Sequence, residues 1–300
     1  MAKLSCTVRS NDDTDQPRNS PLAIAGVLLL VLGTVGVIGL SGRATQPVAG
    51  VAIAVARPSG AVVAAPPDAA PAGALADPLL AGAVRLSPGS CELPRLGRAA
   101  TRMRAFYDAM LDCLDSGWRP ALRQAGVRFR AAGLDVTSEA TSDCGKTPDE
   151  EQATAFYCGA DRIIYLPRDR LLRYIGLYEP AHLAVLAHEY GHHVQNLSGT
   201  LGAVEELLAD VRAGSPRELE LTRRIELQAN CFAGLFLASV SGRGSVTPRE
   251  AARAVDDFGN SLDSRTHGTA RNQLRWARAG FEGRTAKACD TWSAAAEDVA

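Results

Sequence analysis

Residues 22–40, LAIAGVLLLVLGTVGVIGL, form the longest uninterrupted apolar run in the chain and contain no charged side chain. As a helix, that length spans about 28 Å, close to a hydrocarbon core of about 30 Å. No face of it is polar, which argues against a buried soluble helix. A cleavable signal peptide has a shorter apolar core, so the pattern predicts one retained transmembrane helix. The residues before it, 1–21, are polar and read as a tail. The residues after it, 41–85, are rich in Ala, Pro, Gly and Val and read as a linker. Within that linker, VAIAVA at 51–56 is too short to span and ends at Arg57-Pro58.

From residue 86 to 300 the pattern changes to that of a folded domain. Met103, Phe106, Tyr107, Met110, Leu111 and Leu114 recur at spacings of three and four, which predicts an amphipathic helix within 97–125. Pro120 marks the start of a second helical stretch. Residues 139–153 are polar and predict a loop. Residues 162–166, Arg-Ile-Ile-Tyr-Leu, predict a short strand, and Pro167 suits the end of an edge strand. Further helices are expected over 168–175, 180–197, 201–213, 216–240, 248–258 and 269–282. Thr247-Pro-Arg-Glu250 is a capping box with Pro at the first helical position. The expected fold class is mainly α (α+β), with a small sheet.

Composition adds three points. At 46% hydrophobic residues the domain can bury a core, and 32 basic against 33 acidic residues leave no basic excess to suggest a nucleic-acid partner. Lys3, Arg9 and Arg18 precede the apolar run, while Arg43 and Arg57 follow it; the bias places the N-terminus in the cytoplasm. Cys6 lies before the run, and Cys91, Cys113, Cys144, Cys158, Cys231 and Cys289 lie after it. An even count on the outer side fits disulfides in an oxidising compartment. Closeness in sequence favours Cys144–Cys158 first. The expected location is the cell membrane, single-pass, with the C-terminal domain extracytoplasmic.

The candidate chemistry sits in HLAVLAHEYGHHVQ, residues 182–195. On a helix, His188 and His192 are one turn apart and face the same way, so both imidazoles can reach one metal ion. Glu189 is placed to act on a metal-bound water, the arrangement that peptide hydrolysis requires. A third ligand is needed. Six residues past His192 stands Ser198, so that ligand must come from another element. Glu226 and Asn230 lie one helical turn apart. Glu226 can ligate, and Asn230 can accept a hydrogen bond from a ligand imidazole. Spacing alone leaves open that Glu226 belongs to a solvated helix face.

His188-Glu-Tyr-Gly-His-His-Val-Gln195, Glu226-Leu-Gln-Ala-Asn-Cys-Phe-Ala-Gly234 and Tyr157-Cys158…Asp161…Ile164-Tyr165-Leu166 together resemble the putative neutral zinc metallopeptidase family. His267-Gly-Thr, Arg275-Trp276 and Ala288-Cys-Asp-Thr-Trp292 resemble its C-terminal stretch. The resemblance covers roughly residues 90–293. It implies a gluzincin, a zincin-like domain with one Zn2+ held by His188, His192 and Glu226. The family usually has Asp where this chain has Asn230. The resemblance also implies an edge strand beside the zinc helix, on which Ile163, Ile164 and Tyr165 would bind a peptide or protein substrate by strand addition. An oxyanion donor is required. His267 is the candidate, with Tyr165 and Tyr190 as alternatives. His182 reads as a surface residue at a helix start and His193 as structural. A bridge from Cys231 to Cys289 would clamp the C-terminal segment to the second ligand helix.

The function expected is that of a membrane-anchored, zinc-dependent endopeptidase that hydrolyses peptide bonds with a metal-activated water. The alternative is a non-catalytic, zinc-containing envelope protein that binds a partner.

Overall fold

The computed structural model describes residues 52–53, 75, 77–82, 84–138, 141–145, 148 and 153–300. The tail, the candidate transmembrane run 22–40 and Cys6 lie outside the described residues. Among the described residues, no helix is long and apolar enough to cross a membrane.

Helix α1, Ala100–Gln124, buries Met103, Phe106, Tyr107, Met110, Leu114 and Trp118 along one stripe. It runs unbroken through Pro120, which corrects the expected division into two stretches. An internal proline costs about 3 kcal/mol. Trp118 and Leu122, both buried in the core, flank it. Burying two large apolar side chains is worth about 3–6 kcal/mol, enough to hold the last turn in place.

A small sheet follows. Its strands are β1, Ala52–Ile53; β2, Gly133–Asp135; β3, Phe156–Cys158; and β4, Ile163–Tyr165. The order is β1-β3-β4-β2. Strand β4 pairs antiparallel with β3, Tyr157 opposite Ile164, and parallel with β2, Leu134 opposite Ile164. The strand expected over 162–166 therefore forms, but it is an inner strand. With both edges already bonded, Ile163, Ile164 and Tyr165 cannot add a substrate strand, and that expectation is corrected. The outer edge of β3 instead carries β1, in parallel, Ala52 opposite Tyr157.

The rest is helical: α2, Arg168–Tyr174; α3, Glu179–Ser198; α4, Thr200–Leu208; α5, Pro216–Val240; α6, Pro248–Asp257; and α7, Ala270–Gly283. Helix α4 stops at Leu208, short of the expected residue 213. The capping box forms at α6: Thr247 accepts from the Glu250 N–H, and the Glu250 carboxylate accepts from the Thr247 N–H. Helices α3 and α5 are buried on every side over Pro180–Gln195 and Arg224–Val240, so they form the central layer. Helix α7 crosses α5 so closely that a β-carbon on Gly280 would collide with the Cys231 carbonyl.

The six described cysteines pair as Cys91–Cys113, Cys144–Cys158 and Cys231–Cys289, with Cα–Cα separations of 5.7, 5.8 and 5.4 Å. The second ties the loop before β3 to that strand. The third ties the C-terminal 3-10 turn, Ala286–Cys289, to α5.

Candidate metal centre

Helices α3 and α5 meet where their side chains are smallest. A β-carbon on Gly191 would stand 2.9 Å from the Ala229 carbonyl oxygen and 3.0 Å from its Cα. Glycine at this position therefore sets how near the two helices come. Residue 226 lies one turn before Ala229, so the same approach brings its carboxylate to the two histidines of α3.

His188 Nε2 lies 3.1 Å from His192 Nε2. Both nitrogens lie 3.3 Å from Glu226 Oε2. A tetrahedral ion with ligand bonds of about 2.0–2.1 Å has ligands about 3.3–3.4 Å apart, so these three atoms already sit at the corners of such a set. The outward nitrogens fix the protons. His188 Nδ1 is 2.7 Å from Asn230 Oδ1, and His192 Nδ1 is 2.8 Å from Gln195 Oε1. Each oxygen accepts, so each Nδ1 carries the hydrogen and each Nε2 presents its lone pair inward.

Two lone pairs and a carboxylate oxygen then converge in a site where His188, His192 and Glu226 are at most 2% exposed. Glu226 Oε2 has no hydrogen bond of normal geometry. Without a cation or a proton such an arrangement is repulsive. In the ion-free protein a proton supplies the charge. Burial alone would lower His192, but the Glu226 carboxylate outweighs it and raises His192 to about 8. Burial would likewise raise Glu226, but the His192 and His267 charges outweigh it and hold the carboxyl well below its ordinary range. His188 is lowered, chiefly by burial. The donor set, its spacing and its charge preference fit a divalent ion such as zinc. Among the described residues, His188, His192 and Glu226 are the one such group.

Glu189 is fully buried, and neither of its oxygens makes a hydrogen bond of normal geometry. Burial raises its carboxyl to about 8, while the His192 charge and the Tyr157 N–H pull the other way. His267 comes from a tight loop closed by Ser264 and Gly268, each bonding the other's backbone at 2.9–3.0 Å. Thr266 Oγ1, 3.0 Å from its Nδ1, turns the ring so that Nε2 lies 3.4 Å from Glu226 Oε2. His267 is 8% exposed, against 0–2% for His188, Glu189, His192 and Glu226, so it lies nearest solvent among them.

The remaining candidates stand apart. The Tyr165 hydroxyl donates to Asp161 at 2.6 Å, and the Tyr190 hydroxyl donates to Asp115 at 2.7 Å, so both are committed elsewhere. His182 is fully buried, not on the surface: Nδ1 faces the Tyr107 hydroxyl and Nε2 donates to the Gly176 carbonyl. His193 is held in the same manner by the Tyr157 hydroxyl and the Arg130 carbonyl. Two residues that sequence reasoning passed over are Gln195 and Gln228, both fully buried. A signal existed: Gln195 lies three residues past His192, on the same helix face.

A histidine pair on one buried helix and a glutamate on a second, with the Glu189 carboxylate beside them, form a group that could hold a metal ion, in the HExxH pattern. The chain belongs to the family described as Putative neutral zinc metallopeptidase, whose profile matches residues 90–292. The Uncharacterized protein YpfJ of Escherichia coli (strain K12) is 32% identical over 206 residues, covering 62% of this chain and 70% of that protein. The Uncharacterized protein Rv2575 of Mycobacterium tuberculosis (strain H37Rv) is 29% identical over 211 residues, covering 61% of this chain and 68% of that protein. No solved structure matches the chain at a significant level.

Proposed function

We propose that the chain is a zinc-dependent endopeptidase, anchored in the membrane by residues 22–40, with its C-terminal domain outside the cytoplasm. The observation that carries this reading is the inward-facing His188, His192 and Glu226 set beside an unpartnered, buried Glu189. Held by His188, His192 and Glu226, a zinc ion would supply a Lewis acid to polarise the scissile carbonyl and acidify a water. Asn230 and Gln195 hold the two imidazoles with Nε2 inward. Glu189 takes the proton of the attacking water and passes it to the leaving amine. His267, nearest solvent, donates from Nε2 to the developing oxyanion. An extended peptide would pair with β3 only by displacing β1, which occupies that edge as a parallel strand.

The test is Glu189→Gln assayed beside the parent on an unstructured protein substrate. The variant keeps its zinc and loses turnover by about 10²–10⁴-fold, the range for removing a general base. A variant as active as the parent would sink the mechanism.

One observation favours a second reading. Glu189 and the three ligands are at most 2% exposed, which suits a closed zinc site in a partner-binding envelope protein. That reading predicts zinc bound tightly and no turnover in the parent on peptides or peptidoglycan fragments.

A further inference from the structure

His192 does not end at Gln195. The Gln195 Nε2 donates to the Ile225 carbonyl and to Gln228 Oε1, both at 2.8 Å. With Gln228 Oε1 accepting, its Nε2 faces the Cys289 carbonyl at 3.4 Å. Both amides are fully buried, and every bond fixes which end of the amide points where. Ile225 immediately precedes Glu226, so the relay also grips the turn that carries the third ligand. Its far end, Cys289, is bonded to Cys231, the residue after Asn230. Asn230 in turn holds His188 at 2.7 Å. The same C-terminal segment is stitched to α5 again, where Thr291 Oγ1 donates to the Arg224 carbonyl at 2.8 Å.

We infer that Gln195 and Gln228 are positioning residues that orient His192 against the disulfide-clamped C-terminal segment, so that metal affinity depends on the Cys231–Cys289 bridge through this relay. The inference rests on the zinc reading above for its effect on affinity, and on the hydrogen bonds alone for its effect on the imidazole. A partner of this kind fixes the tautomer and raises the ligand's basicity, and its loss commonly weakens metal binding by about 10–100-fold. A buried chain of amides is also cooperative, so loosening its far end weakens the near one.

The test uses Gln195→Met and Gln228→Met, which keep side-chain length and remove the hydrogen bonds. Zinc affinity is measured by chelator competition on the full chain, and the Nδ1 proton of His192 is followed by imidazole ¹⁵N–¹H NMR in the metal-free protein. The expected result is about 10–100-fold weaker zinc binding for Gln195→Met and a smaller loss for Gln228→Met. In the NMR arm, the slowly exchanging Nδ1 proton of the parent is lost in Gln195→Met. Replacing both Cys231 and Cys289 by Ala should weaken zinc in the parent background and add little in Gln228→Met. Metal-free melting temperatures near the parent's separate positioning from general damage. Parent affinity in Gln195→Met, or an unchanged Nδ1 proton, overturns the relay. A parent without zinc defeats the zinc reading, while the NMR arm still decides the relay.

Discussion

At residue 230 the choice between an amide and a carboxylate sets how basic His188 is. Asn230 offers a neutral oxygen at 2.7 Å, where an aspartate would offer a charged one. Asn230→Asp adds a negative charge behind the ligand and should tighten zinc roughly tenfold. Asn230→Leu should weaken it about 10–100-fold, both read by chelator competition. His182 carries a different prediction. Burial lowers it to about 4, against 6.5 in an exposed state. Below pH 6.5 the unfolded chain takes up a proton that the folded one refuses. The His182 contribution is therefore fully present above that pH and is lost as pH falls toward 4. By pH 5 the loss is about 2 kcal/mol. The urea midpoint should drop between pH 7 and 5, and drop less in His182→Gln; an equal drop in both would count against it. The spacing of His188 and His192 was readable because one helical turn is local geometry. Glu226 was open on spacing alone, since only the meeting of two helices decides what it faces. His182 was misread because its partner, Tyr107, lies 75 positions away on another helix.

Among the elements, the meeting of α3 and α5 is the decisive one. Gly191→Ala places a β-carbon 2.9 Å from the Ala229 carbonyl, and backbone cannot step aside cheaply. Overpacking of this kind costs about 1–3 kcal/mol. The expectation is a lower melting temperature together with weaker zinc binding, because Glu226 moves with α5. Thr247→Ala is the contrast: loss of the α6 cap costs about 1 kcal/mol and leaves zinc affinity at the parent value. Apolar periodicity revealed the helices, and Thr247-Pro-Arg-Glu250 revealed where α6 begins. The sheet was only partly legible. Strands β2 and β3 have three residues each, too few for alternation to register. The inner place of β4 follows from β2, thirty residues earlier, pairing with it in parallel. Pro167 carried no information about that partner.

For the molecule as a whole, α3 and α5 are held from outside by α7 and by the C-terminal segment bonded through Cys231–Cys289. The site is thereby built from residues far apart in sequence, His188 and His192 on α3, Glu226 on α5 and His267 before α7. On the proposed reading, His188, His192 and Glu226 hold one zinc ion. Elemental analysis of the purified chain, beside His188→Ala and Glu226→Ala, tests it most directly. The expected result is about one zinc per parent chain and a marked loss in both variants, with the fold retained by circular dichroism. A folded parent without zinc, or variants that keep it in full, would contradict it.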